Sequence, residues 1–194
     1  MKRIFDFTTS LIGLIIISPI LLFIALFISL ESKGGVFYKQ KRVGKGNKDF
    51  YVYKFRSMIV DADKKGLLSI GKDGKDPRVT KFGYIIRKYK LDELPQLLNV
   101  LKGDMSLVGP RPEVRKYVEL YTEEQKQVFK VRPGITDIAS IKFRNENDLL
   151  SQSPNPEEYY IKEIMPQKLS LNLEYIKTRT FFGDIKLIFK TIFG

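Results

Sequence analysis

Asp92 and Glu93 are adjacent acids in a stretch crowded with cations and prolines. Arg87, Lys88 and Lys90 come just before them; Asp104 and the turn Gly109-Pro110-Arg111-Pro112 come just after. The 194 residues include no His, no Cys and no Trp. This excludes a His-based triad, a Cys nucleophile, a Cys/His zinc site and a disulfide. Catalysis would then fall to a carboxylate, Lys, Tyr, Ser or Thr, with or without a hard metal such as Mg²⁺. Neighbouring acids on a helix point about 100° apart, so this pair does not oppose itself across a substrate as glycosidase carboxylates do. At a helix start the two acids can still meet one phosphate-bound metal. Carboxylates with arginines and no His suit phosphoryl transfer. An Asp can act as nucleophile through an acyl phosphate, Mg²⁺ can bridge acid and phosphates, and Arg can clamp oxygens.

The local pattern predicts how these residues are carried. Thr80 is placed to cap a short helix whose Phe82, Ile85, Ile86 and Tyr89 share a face. Asp92 then reads as the cap of a second helix, with Pro95 in its first turn, Leu94, Leu97, Leu98 and Leu101 as its apolar stripe, and Gly103 as its end. The plainer reading of Asp92 and Glu93 is therefore helix-capping acids that complement the dipole, and it stays open beside the catalytic one. Residues 36–42 and 50–56 are rich in aromatic and β-branched side chains around the turn-rich VGKGNKD, which predicts a β-hairpin. Gly66–Asp73 (GLLSIGKD) approaches a phosphate-binding loop, but Asp73 stands where a metal-ligating Ser or Thr belongs. Its glycines mark a loop instead.

Phe7 to Leu30 carries no charge at all. A soluble helix of that length shows a polar face, so the bilayer is the expected solvent. A cleaved signal peptide fits poorly, because the run is too long and Glu31-Ser32-Lys33 is a poor cleavage site. Ser18-Pro19 divides the run. A kinked helix from Ile4 to Leu30 would reach about 40 Å and span; two arms of roughly 18–22 Å would not cross a core of about 30 Å and would return. Both flanks are basic: Lys2 and Arg3 precede the run, and residues 31–90 hold 17 Lys and Arg against 6 Asp and Glu. Basic flanks prefer the cytoplasm, which tilts the choice toward re-entry without closing it. The basic stretch also suits anionic headgroups. Nucleic-acid binding ranks low, since no recognised nucleic-acid motif accompanies the charge.

The order of motifs then becomes specific. Lys2–Asp6 (KRIFD), Ser18-Pro19, Tyr53–Met58 (YKFRSM), DPRVTKFG, LDELPQLLNVLKGDMSLVGPRP and Val131–Thr136 (VRPGIT) follow one another along nearly the whole chain. In this it resembles the bacterial sugar transferases known as small monotopic phosphoglycosyl transferases. The resemblance implies transfer of a sugar 1-phosphate from a UDP-sugar to a polyprenyl (undecaprenyl) phosphate, with release of UMP, as the first membrane step of surface glycan or glycoprotein oligosaccharide synthesis. It implies Asp92 as covalent nucleophile, Glu93 assisting with metal or proton handling, Mg²⁺ held by the Asp92–Glu93 pair, and Arg111 on substrate phosphate. Lys54 and Arg87 match basic positions at the mouth of the site.

The implied fold is α+β and mostly helical. Residues 1–32 would form a re-entrant membrane helix broken at Ser18-Pro19. Residues 33–194 would form a catalytic domain lying on the cytoplasmic face of the inner membrane, with a small hairpin and interfacial amphipathic helices. The C-terminal Phe182, Ile185, Ile188, Phe189 and Ile192, with Lys186 and Lys190 nearby, are a candidate for such a helix, core packing being the alternative. One departure stands out. Where many family members continue Gly-Trp or Gly-Leu after the Gly-Ile-Thr, this chain has Asp137 to Asn145, in a loop expected over the nucleotide-sugar. The length matches the minimal catalytic unit. The sequence leaves the sugar and any homo-oligomer open.

Overall fold

The computed structural model describes residues 1–62 and 76–193; Gly66–Asp73 falls outside them. Among the described residues the fold is α+β and mostly helical. It opens with α1 (Lys2–Glu31), long and apolar enough to cross a membrane. The predicted hairpin follows as β1 (Phe37–Val43) and β2 (Asp49–Phe55), antiparallel with Tyr38 opposite Lys54. Next come α2 (Lys81–Lys88), a 3-10 turn (Leu91–Glu93), α3 (Gln96–Lys102) and β3 (Ser106–Val108). After α4 (Arg115–Val118), β4 (Gly134–Thr136) pairs in parallel with β3. The chain ends in α5 (Ile138–Lys142), α6 (Glu146–Ser151), α7 (Pro156–Tyr159), α8 (Met165–Thr178) and α9 (Phe181–Phe193).

α1 runs unbroken through Ser18-Pro19. Pro19 has no N–H to give the Ile15 carbonyl, and the Ser18 hydroxyl donates to that carbonyl instead, at 2.8 Å. At the expected break the backbone therefore lacks one bond, and the preceding side chain takes the carbonyl that it leaves. A single stripe of α1, including Asp6, Ser10, Ile24 and Ile28, is buried. The opposite side leaves Ile12, Ile15, Ile16, Leu22 and Phe23 more than half exposed.

Both ends of α1 are fastened to the same body. At the start, Arg3 donates to the carbonyls of Val100 and Leu101, which closes the end of α3. Asp6 accepts from the Ser106 hydroxyl at 2.7 Å and the Leu107 N–H at 3.3 Å. Lys2 pairs with Asp184 of α9. At the far end, Ile24 and Ile28 pack with Phe55 and Ile86. Glu31 accepts from the Phe82 N–H, and Arg56 donates to Ser32.

Thr80 caps α2 as expected, its hydroxyl accepting from the Gly83 N–H. The predicted apolar face divides, however: Ile86 is buried while Ile85 and Tyr89 are exposed. α9 divides in the same way. Ile188 packs against the core formed by Val52, Val100, Met105, Val108 and Tyr175, while Phe182, Phe189 and Ile192 face outward. A second core joins Val43, Tyr117, Val118, Tyr160 and Leu169.

The β3–β4 pair fixes the Pro-Arg-Pro turn. The Gly109 N–H donates to the Thr136 carbonyl and the Gly134 N–H to the Pro110 carbonyl, both at 3.0 Å. Two backbones approach closely enough that a Cβ on Gly134 would lie 2.1 Å from the Gly109 nitrogen. Gly134→Ala is expected to cost about 2 kcal/mol or more of stability, because backbone rather than a flexible side chain must yield. Gly35→Ala, whose Cβ would come no nearer than 3.7 Å to another atom, serves as control. Chemical denaturation of both variants checks this; equal midpoints would contradict it.

Candidate active site

Asp92 and Glu93 lie in the 3-10 turn Leu91–Glu93, entered through Lys90 at φ 54° and ψ 24°. A side chain other than glycine is uncommon in this left-handed region and marks a constrained turn. The turn is pinned by Leu91, which packs against the Ile24, Ile28, Phe55 and Ile86 cluster. This corrects the capping reading of Asp92. α3 begins only at Gln96, with Pro95 at its cap position, and no side chain makes a capping bond there. Gly103 does end α3, at φ 91°.

Glu93 is clamped. Its Oε1 accepts from Lys54 Nζ at 2.8 Å and from Arg111 Nη2, and its Oε2 accepts from Arg111 Nη1 at 3.1 Å. Burial alone would raise the Glu93 pKa; the Arg111 and Lys54 charges and their hydrogen bonds more than reverse that and hold it well below the usual carboxylate range. Burial lowers Lys54, with Glu93 pulling the other way. Asp92 is the opposite case. Among the described residues no donor bonds its carboxylate. Burial first, and the Glu93 charge second, raise its pKa; Lys54, Arg87 and Arg111 oppose this without cancelling it. The predicted residues Lys54, Arg87, Asp92, Glu93 and Arg111 thus come together. Arg87, in the last turn of α2, acts through its charge on Asp92.

Two further residues position this group; Asn99 did not stand out in the sequence, and Asp137 did so only as the first residue of a departure from the family pattern. Asn99 is fully buried; its Oδ1 accepts from the Tyr53 N–H at 2.9 Å and its Nδ2 donates to the Tyr51 carbonyl at 2.7 Å. That fastens β2 to α3 one residue from Lys54. An Asn inside Leu97-Leu98-Asn99-Val100-Leu101 was the available signal. Asp137, 1% exposed, accepts from the Arg111 N–H at 2.9 Å through Oδ2 and caps α5 by accepting from the Ser140 N–H through Oδ1. The stretch expected as a loop over the substrate therefore begins as a capped helix, and its divergent first residue holds Arg111.

Which residues fit a metal follows from the donor set. Glu93 already has both oxygens on cations, whereas no donor among the described residues bonds the Asp92 carboxylate. Among the described residues no three acids gather as a ready-made cation site. The arrangement is a free, partly covered carboxylate facing several fixed positive charges, which suits attack on a phosphorus whose oxygens those charges hold.

The family model for bacterial sugar transferases matches residues 1–194, and the chain belongs to that family. It is 41% identical to the uncharacterized sugar transferase EpsL of Bacillus subtilis (strain 168), over 99% of this chain and 85% of that protein. It is 40% identical to a UDP-N-acetylgalactosamine-undecaprenyl-phosphate N-acetylgalactosaminephosphotransferase of Aeromonas hydrophila, over 98% of this chain and 42% of that protein. A UDP-glucose:undecaprenyl-phosphate glucose-1-phosphate transferase of Escherichia coli (strain K12) is also 40% identical, over 100% of this chain and 39% of its own length. The chain thus spans about two fifths of each of the two longer relatives. It is an enzyme of the sugar transferase type.

With Asp92 as the expected nucleophile, its raised pKa is expected to set the acid side of the activity profile. A nucleophilic carboxylate must be ionised, so activity falls as pH drops through the Asp92 pKa. That limb is expected above the ordinary value of 3.8. Glu93→Gln removes a charge that raises Asp92 and frees two cations that lower it, so the residual activity should keep its rate to lower pH. Single-turnover rates between pH 4 and 8 test this. A limb that stays in place in the variant would mean that another group controls it.

Proposed function

We propose that this enzyme transfers a sugar 1-phosphate from a UDP-sugar to a polyprenyl phosphate such as undecaprenyl phosphate and releases UMP. One observation carries the mechanism: Asp92 is a carboxylate with no hydrogen-bond donor among the described residues, beside a Glu93 whose charge is taken up by Arg111 and Lys54. The names of the relatives support the substrates. Asp92 attacks the phosphorus that bears the sugar. The bond from that phosphorus to the oxygen of UMP breaks, UMP leaves, and an aspartyl phosphosugar remains. An oxygen of the polyprenyl phosphate then attacks the same phosphorus and breaks the bond to Asp92. The product is a polyprenyl diphosphate sugar, and Asp92 is again a free carboxylate. Arg111, fixed between two prolines and by Asp137, holds phosphate oxygens; Lys54 and Arg87 add charge at the mouth.

Mg²⁺ is the proposed cofactor. Asp92 fits as its protein ligand, with substrate phosphates and water completing a shell of the usual kind. When bound, it would offset repulsion between carboxylate and diphosphate. Glu93 serves instead to hold Arg111 and Lys54.

The same proposal puts the enzyme on the cytoplasmic face of the bacterial inner membrane, with α1, kinked at Ser18-Pro19, entering one leaflet and returning. Support comes from the attachment of both ends of α1 to one body and from the basic residues at both flanks. Outward Phe182, Phe189 and Ile192 of α9, with Lys186 and Lys190, suit the same interface.

Two experiments test these statements. Given a UDP-sugar alone, the wild type should release UMP and gain the mass of the sugar phosphate at Asp92. Asp92→Asn keeps the shape and removes the charge, so it should stay folded, form no adduct and lose turnover by at least about 1,000-fold. Substantial UMP release by the variant, or an adduct on Glu93, would refute the assignment. For topology, the absence of native Cys permits single replacements at Lys2 and Lys33. In intact cells an impermeant thiol reagent should label neither; labelling of the Lys2 position alone would indicate a spanning helix.

A further inference from the structure

A groove of about 600 Å³ opens between α5, α8 and α9, and the mechanism above does not use it. Its floor is aliphatic: Ile138 and Ile141 of α5, Leu171 of α8 and Leu187 of α9. Tyr175 lines it too, with its hydroxyl already given to Asp184 at 2.6 Å. Around that floor stand five cations, Lys142, Arg144, Arg179, Lys186 and Lys190, and among the described residues no acid lines the groove. Lys142, Lys186 and Lys190 are exposed and join no ion pair among the described residues. Arg144 has a structural share as well: it donates to the Lys190 carbonyl at 2.7 Å, which ties the chain just after α5 to the last turn of α9.

The ligand's class follows from this lining. A cleft lined by charge of one sign concentrates ions of the other. A small soluble anion would leave the aliphatic floor in water. A nucleotide would need rings to stack on, and the one aromatic side chain in the lining, Tyr175, is 7% exposed. The occupant that satisfies both parts carries negative charge at one end and an apolar chain at the other. Position supplies the rest. At 3.6 residues per turn, Gly183, Lys186, Leu187 and Lys190 of the groove sit about a quarter turn around α9 from Phe182, Phe189 and Phe193. Phe182 is 80% and Phe193 78% exposed, so that face is turned outward. With those rings in the apolar layer, Lys186 and Lys190 stand at headgroup depth and the groove opens beside them. Neither Arg111 nor Lys54, Arg87, Asp92 or Glu93 lines the groove, so a phosphate bound there is not the reacting one.

We propose that this groove holds one anionic diacyl phospholipid, with its phosphate among Lys142, Lys186 and Lys190 and an acyl chain along Ile141, Leu171 and Leu187. This rests on the membrane placement proposed above and not on the sugar reaction. It gives α9 a bound lipid of defined charge in addition to a general affinity for the interface.

The test uses the full chain in nanodiscs of phosphatidylcholine that contain a trace of lipid with a photoreactive diazirine in one acyl chain. The probe's headgroup is either phosphoglycerol or phosphocholine. After irradiation, peptide mass spectrometry should find residues 138–144 and 183–190 labelled about 10- to 100-fold more by the phosphoglycerol probe, while α1 is labelled equally by both. Lys142→Gln, Lys186→Gln and Lys190→Gln together should bring the groove's ratio close to one. Removing the same charge elsewhere, at exposed Lys45, Lys48 and Lys130, should leave that ratio unchanged. Equal losses in the two triple variants would reduce the effect to net charge and overturn the proposal, as would equal labelling of the groove by both probes. Unlabelled phosphatidylglycerol should suppress the groove's labelling. Equal suppression by soluble glycerol phosphate would make this an anion site without a chain, and stronger suppression by polyprenyl phosphate would make it the acceptor's site; either result overturns the proposal. Labelling of α1 with the groove bare refutes this proposal alone, whereas an unlabelled α1 would overturn the membrane placement on which it rests.

Discussion

The structure depends on keeping one carboxylate occupied so that its neighbour stays free. Asp92 and Glu93 are consecutive, both partly covered, and each disfavours ionisation of the other. Two cations placed symmetrically between them would bind both and leave neither carboxylate free. Instead Arg111 and Lys54 converge on Glu93, and the bidentate contact of Arg111 sets their geometry. A buried charge demands a partner with good geometry, so the clamp tolerates little displacement of its parts. Those parts come from β2, the 3-10 turn and the Pro-Arg-Pro turn, separated by up to 57 residues in sequence (Lys54 to Arg111).

Each part is held by a short polar tie where the cores are small. Asn99 binds two backbone groups of β2 across from α3. Asp137 binds the backbone of Arg111 itself and starts α5 with its other oxygen. The crossing of Gly109 and Gly134 admits no side chain, so the turn cannot slide along β4. Ties of this kind are worth about a kilocalorie each, yet they fix position more sharply than apolar contact, which is non-directional. A site that must orient phosphate oxygens within a fraction of an ångström benefits from that directionality.

What the sequence disclosed follows the range of each interaction. The hairpin, the Thr80 cap and the Gly103 stop are set by neighbours within a few residues, and they appear where the pattern placed them. Asp92 was misread as a cap because the sequence Asp-Glu-Leu-Pro is equally compatible with a helix start. The left-handed Lys90 decides otherwise, and a residue without glycine's freedom gave no hint of it. The candidate cluster was legible as residue types, but its internal division was not: that Glu93 takes both cations depends on contacts 18 and 39 residues away. Asp137 was visible as a departure and was assigned to a substrate loop. Its actual partner is the backbone of Arg111, an atom that no side-chain pattern announces.

The apolar helix turns out to be part of this same positioning system. Its first two turns hold α3 through Arg3 and β3 through Asp6, and β3 leads directly into the turn that carries Arg111. Its last two turns hold Phe55 and Leu91, the immediate neighbours of Lys54 and Asp92. One helix therefore grips both halves of the site, the turn that carries Arg111 through one end and the carboxylate turn through the other. In the proposed reaction the acceptor is a lipid and the donor is water-soluble, so the reacting phosphorus must lie at headgroup depth. A rigid connection between an apolar helix and the catalytic turn sets that depth by geometry. Ser18 takes the carbonyl that Pro19 leaves without a donor, so the chain stays helical between its two grips.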